Sequence, residues 1–257
     1  MSSLTGMFAE QPPGVPPASI KSLARVAGVF YLGVGIAGGF SEGFVDPSMY
    51  VAGDAAATAS NLAENSGLVR LAVVAHLTDA VLFVLTAVTL YLLLKHAGKH
   101  AARLMVLAVV IAASIISVSA VFTFAALQVA TDGSYLAAFG EAETHALALL
   151  LLELEHYGVL AAQVFFGLWL APLGYLALRS RLFPKALGII LIVATVSYLT
   201  SVVVAFLLPE VWKQIHRFLD IAPGIAEVWM VLYLLVVGVR SPRSALRPPV
   251  PAAASIQ

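Results

Sequence analysis

Residues 104–130 read LMVLAVVIAASIISVSAVFTFAALQVA, and no position in that run carries a charge. As an α-helix rising 1.5 Å per residue it reaches about 40 Å, more than the roughly 30 Å of a bilayer's hydrocarbon core. Only helices and closed barrels satisfy every backbone N–H and C=O inside lipid, and an unbroken apolar run of this length is a helix pattern. The run therefore reads as a membrane span.

Working outward, similar runs place spans near 22–44, 69–94, 157–179, 186–208 and 222–239. Composition agrees: 61% of the 257 residues are hydrophobic and 11% charged, with a mean hydropathy of +0.97, whereas a soluble domain carries about 25% charged residues. The expected fold class is all-α, a polytopic membrane helix bundle of six transmembrane helices. Cysteine is absent, which excludes a disulfide scaffold and any thiolate-ligated zinc or iron–sulfur centre. Fourteen Lys and Arg balance fourteen Asp and Glu, so no basic face favours nucleic acid.

Residues 1–20 contain Pro12, Pro13, Pro16 and Pro17 and lack the basic start and small-residue cleavage site of a signal peptide. The first apolar run is expected to remain as a helix. The division expected is a disordered cytoplasmic segment over 1–20, a six-helix domain over 21–240, and a Pro-rich disordered tail over 241–257.

Orientation follows from the basic residues. Lys21, Arg25, Lys95, Lys99, Arg103, Arg179, Arg181, Lys185, Arg240, Arg243 and Arg247 all fall on the side of the termini. Arg70, Lys213 and Arg217 fall on the other, so the positive-inside rule predicts cytoplasmic termini. Asp46, Asp54, Glu64, Asp132, Glu141, Glu143, Glu210 and Asp220 give the opposite side an acidic character. In the first outer connection Asp54 is a plausible N-cap for an Ala-rich interfacial helix ending near Glu64. In the second, Thr131-Asp132-Gly133-Ser134 signals a turn, Ala146 to Leu154 is apolar enough to extend the fourth helix or lie on the surface, and Gly158 is the expected bend.

Polar residues inside the spans carry the functional signal, because a charge at the membrane centre costs roughly 2.5–3.5 kcal/mol on insertion scales. Gly28, Gly35, Gly39 and Glu42 share one helical stripe, as do His76 and Asp79, then His156, Gln163, Gly167 and Gly174, then Asp220, Gly224, Glu227 and Gly238. Tyr198 and Ser201 make a milder stripe on the fifth span. Facing stripes would gather Glu42, His76, Asp79, His156, Gln163 and Glu227 into an outward-facing pocket, with Arg70 at its rim. The inner half lacks such residues, which argues against a continuous ion pathway.

Three functions compete for these residues. The leading one is binding of a small polar or amphiphilic ligand without covalent chemistry. The second is a haem- or metal-dependent membrane enzyme using His76 and His156. The third is an accessory or structural subunit that docks a membrane protein or a second copy through Gly35-x-x-x-Gly39, its polar cluster serving as internal glue. Ser114, Ser117 and Ser119 are expected to bond back to their own helix rather than act as nucleophiles, and no G-x-S-x-G, H-E-x-x-H or Walker signature occurs. Neither cofactor nor catalytic residue is assigned from these residues.

Several stretches carry a family pattern: Arg25-Val26-Ala27-Gly28-Val29-Phe30-Tyr31-Leu32, Gly53-Asp54-Ala55-Ala56-Ala57-Thr58-Ala59 with Asn61, and Arg70-Leu71-Ala72. His156-Tyr157-Gly158, Phe165-Phe166-Gly167, Gly174-Tyr175-Leu176, Ser180, Pro184 and Leu187-Gly188 continue it. Together they resemble the bacterial membrane family known as domain of unknown function 4386, from about Arg25 to Gly238. The resemblance implies a six-helix multi-pass protein of the bacterial cytoplasmic membrane and singles out Glu42, Gly53-Asp54, Arg70 and His156 as family-like, leaving His76 outside the pattern. It implies no activity.

Overall fold

A computed structural model describes residues 17–240. Two of the expected segments, residues 1–16 of the N-terminal one and all of 241–257, lie outside these described residues. Every element is helical: α1 (Pro17–Phe40), a π turn (Ser41–Val45), α2 (Asp46–Met49), α3 (Ala55–Glu64), α4 (Ser66–Leu94), α5 (Lys99–Thr131), α6 (Gly133–Phe139), α7 (Glu141–Ser180), α8 (Lys185–Leu207), α9 (Pro209–Leu219) and α10 (Ile221–Val236). Pro17 opens α1, a first-turn position where its missing N–H costs nothing. The helix thus begins four residues inside the segment expected to lack structure.

Six helices are long and apolar enough to cross a membrane: α1 with its extension, α4, α5, α7, α8, and α9 with α10. Each packs against its neighbours in the chain, and α10 closes back onto α1, so the spans form a ring in sequential order. At one end Arg240 N–H donates to Leu182 O at 3.0 Å, and the left-handed Gly238 lies against Lys21. Both ends of the described chain, and the α7–α8 connection, meet there. The longer connections, containing α3, α6 and α9, occupy the opposite end.

The ring's interior is filled by aromatic side chains. Trp169 of α7 meets Tyr31 of α1 edge-on at 5.3 Å between centroids and Phe83 of α4 at 5.1 Å. Phe166 contacts both Phe83 and Tyr198 of α8 at 5.9 Å. Edge-to-face pairing of this kind adds to simple burial, since ring edges are positive and faces negative. The α7–α8 crossing depends on absent side chains: a Cβ on Gly174 would stand 2.8 Å from Gly188 O, and one on Gly167 would stand 3.3 Å from Thr195 O. Small residues let backbones approach where lipid offers no hydrophobic drive to associate.

Several expectations need adjusting. Gly35 and Gly39 have no atom of the described residues within 4 Å of where a Cβ would sit, so among those residues the Gly35-x-x-x-Gly39 motif joins no helix and its face is left open. Gly28 alone of that stripe meets α10, through Leu234 and Leu235. Gly158 does not break α7, which runs continuously for 40 residues. Instead it lies against Ser119 of α5, whose hydroxyl would collide with any Cβ there. Ala146 to Leu154 extends α7, one of the two options the composition left. Ser114 and Ser117 do bond back to Val110 O and Ala113 O. Asp54 caps α3 by accepting from Ala57 N–H at 2.9 Å. The connection after α8 holds an amphipathic helix, α9, opened by Pro209.

Candidate functional site

The site starts from an irregularity in the first span. At Ser41 the α-helix widens into a π turn, with Asp46 N–H donating to Ser41 O. The chain stays helical through this turn, and residues four apart share a helical face. Glu42 and Asp46 therefore project together toward α4, and Pro47 opens the short helix α2 beyond them.

The side chain they meet is His76, which is fully buried. Its Nε2 stands 2.9 Å from Asp46 Oδ2 and its Nδ1 3.9 Å from Glu42 Oε1. Nδ1 has no hydrogen-bond partner. From α7, Glu155 completes the group: one ligand-type atom each from Asp46, His76 and Glu155 lies within 4.8 Å of the other two. Glu155 is 5% exposed. Three carboxyl groups thus face one imidazole, a set of oxygen and nitrogen donors of the kind that can hold a cation.

One turn below His76 on α4, Asp79 is 4% exposed and its Oδ1 has no hydrogen-bond partner. It lies beside Gly38 of α1, at ordinary van der Waals distance from where a Cβ would sit. Further round the ring the Tyr198 hydroxyl donates to Glu227 Oε1 at 2.9 Å. The Tyr31 hydroxyl faces the same carboxylate from α1 without closing a hydrogen bond. Beneath these groups sit the Trp169, Phe83 and Phe166 rings described above. The polar layer therefore rests on an aromatic floor.

Above it opens a cavity of about 400 Å³. Its α7 wall is Leu152, Glu155, His156, Val159, Leu160 and Gln163, spaced three and four apart as one helical face requires. Glu42, Asp46, Pro47 and Tyr50 form the opposite wall, and Trp212 of α9 covers one side. The indole is fixed by donating its Nε1–H to Ser201 Oγ at 3.1 Å. The His156 ring runs parallel to Tyr50, 2° between planes and 6.3 Å between centroids. Burial, and after it the Glu153 carboxylate, raises the Tyr50 phenol above its ordinary pKa. It stays protonated at neutral pH and offers an O–H at the pocket wall.

Of the residues singled out from sequence, Glu42, His156 and Gln163 line this cavity. His76 and Asp79 lie in the packed layer beside it, and Glu227 is held on the far side by Tyr198. Arg70 is not at the rim: its guanidinium sits 5.8 Å over the Phe124 ring on the exposed outer surface of α4 and α5. His156 is not part of the converging group around His76, so the pairing of these two histidines gives way to Asp46, His76 and Glu155. Asp46 and Glu155 were missed. Glu155 was within reach of the helical-spacing argument, being next to His156 and eight residues before Gln163. Asp46 was not, because it lies past the end of the apolar run, where the span was expected to stop, whereas the chain stays helical through Met49.

The fold and site define a class: a six-helix integral membrane protein with an acid–imidazole cluster beneath a partly apolar cavity. The chain belongs to the family described as Domain of unknown function (DUF4386), whose profile matches residues 26–238. Among curated proteins and solved structures, none matches this chain.

Proposed function

We propose that this is a multi-pass protein of the bacterial cytoplasmic membrane, with cytoplasmic termini, whose outward-facing pocket binds a small amphiphilic ligand by an apolar body and a cationic or hydrogen-bond-donating head. The cavity carries this reading. Its volume of about 400 Å³ falls in the range of roughly 300–1,000 Å³ typical of small-molecule sites. Leu152, Val159, Leu160 and Trp212 offer apolar and aromatic surface, while Glu42 and Asp46 from one wall and Glu155 from the other bring acidic groups together beside His76. Nine basic residues at the opposite end, among the described residues, support the orientation.

Alkylamines of graded chain length are suitable probes, with the matching alkyl alcohols as neutral controls. Titrated into the detergent-solubilised protein, amines are expected to change the tryptophan fluorescence saturably, and alcohols are expected to act at least about tenfold more weakly, one charge-assisted hydrogen bond being worth some 1.5–3 kcal/mol. Val159→Trp, which fills the cavity without touching its charges, should abolish the response. A response of unchanged strength in that variant would overturn the assignment. Likewise His156→Ala should weaken amine binding several-fold while His96→Ala, in the connection at the other end, leaves it unchanged; equal effects of the two would remove His156 from the site.

A further inference from the structure

We infer that Asp46, His76 and Glu155 form a binding site for a divalent first-row transition cation such as zinc, with Glu42 orienting the histidine. The inference deepens the reading of this pocket as a ligand site by naming what its charged wall holds.

Three observations carry it. First, the ligand atoms converge from three separate elements, α2, α4 and α7, within 4.8 Å of one another. Zinc bonds to nitrogen and carboxylate oxygen at about 2.0–2.1 Å, which sets its ligands roughly 3.4 Å apart. Asp46 Oδ2 and His76 Nε2, now 2.9 Å apart, need only separate slightly to admit an ion between them. Second, Glu155 makes no hydrogen bond or ion pair with any described residue, although it is 5% exposed and lines the cavity. An acidic side chain set into a span calls for a partner, a cavity or a function, and here its carboxyl opens onto the cavity beside His76. Third, His76 Nδ1 is buried, unpartnered, and faces Glu42 at 3.9 Å. With Nε2 on a metal, Nδ1 carries the proton and donates to that carboxylate, the arrangement by which metal-binding histidines are held in the correct tautomer.

The donor set also limits the ion. One imidazole among carboxylates suits zinc, manganese or iron; calcium and magnesium prefer an all-oxygen shell. The negative charge of Asp46 and Glu155 would offset the ion's two positive charges.

The test uses the full chain in mild detergent, stripped with chelator and titrated with zinc chloride alone in a calorimeter. One equivalent of zinc is expected to bind and to raise the melting temperature, and calcium at the same concentration is expected to do neither. Glu155→Gln and Asp46→Asn should each weaken zinc binding at least about tenfold. Glu155→Gln retains shape and relieves an unpartnered charge, so its metal-free melting temperature should equal or exceed that of the parent. His76→Gln should weaken binding similarly, whereas His216→Gln, on α9, should not. Absence of saturable zinc binding by the parent protein, or binding of undiminished strength in both Glu155→Gln and Asp46→Asn, would overturn the site. Neither result touches the alkylamine titration, which is run without metal, so the two readings fail separately.

Discussion

Trp169→Ala is expected to lower the unfolding free energy of the solubilised protein by about 3–5 kcal/mol, the usual cost of truncating a large buried aromatic side chain. Trp169 is 1% exposed and is the ring on which Tyr31 and Phe83 both converge, at 5.3 and 5.1 Å. Its removal leaves a void at the centre of the ring of spans, and neither neighbour can fill it without abandoning its own contacts. Dispersion between packed atoms is the main attraction among membrane helices, so a void forfeits it outright. A control of similar chemistry is Val196→Ala, whose side chain faces outward at 60% exposure and which should change stability by no more than about 0.5 kcal/mol. Thermal unfolding in one detergent checks both. Comparable losses in the two would mean that the aromatic floor does not hold the bundle together.

Gly174→Val is expected to cost about 1–3 kcal/mol or more, the range for overpacking a close contact. The added Cβ would stand 2.8 Å from Gly188 O and 2.9 Å from Ile192 Cγ1. The first of these is backbone, which cannot rotate aside, so α7 and α8 must separate. Gly35→Val makes the same chemical change at a position with nothing within 4 Å and should be nearly neutral. Both are glycines in apolar helices, and only the neighbouring helix distinguishes them. Equal melting temperatures for the two variants would show that the α7–α8 crossing is not set by glycine contact.

These predictions also mark what could be read from the chain. Gly35-x-x-x-Gly39 has the spacing of a contact motif and meets no described residue within 4 Å; Gly174 and Gly188, fourteen positions apart on different helices, make the tightest glycine approach to backbone. Spacing within one helix establishes which residues share a face. It does not say whether that face meets protein or lipid, because apolar side chains suit both surroundings equally.

The polar site divides in the same way. Glu42, His156 and Gln163 were legible because each is a polar residue inside an apolar run, where its cost demands an explanation. Asp46 sits just past the apolar run and looked like part of an acidic loop. The chain instead stays helical through Ser41–Val45 and on to Met49, which carries Asp46 into the bundle, 2.9 Å from His76. Arg70 went the other way: its position at the helix end suggested a rim, yet its guanidinium found the Phe124 face.

The sequence by itself determined the six spans, their order, the cap at Asp54 and the concentration of basic residues at one end. Each of these is settled within about twenty residues, by hydropathy, by a side chain reaching its own backbone, or by charge beside a span. Tertiary structure alone decided which carboxylates surround His76, which glycines touch and which stand open, and that aromatic rings close the space below the pocket. Those outcomes depend on the rotation of each helix against its neighbours, and a single extra residue in one turn redirects every side chain that follows it.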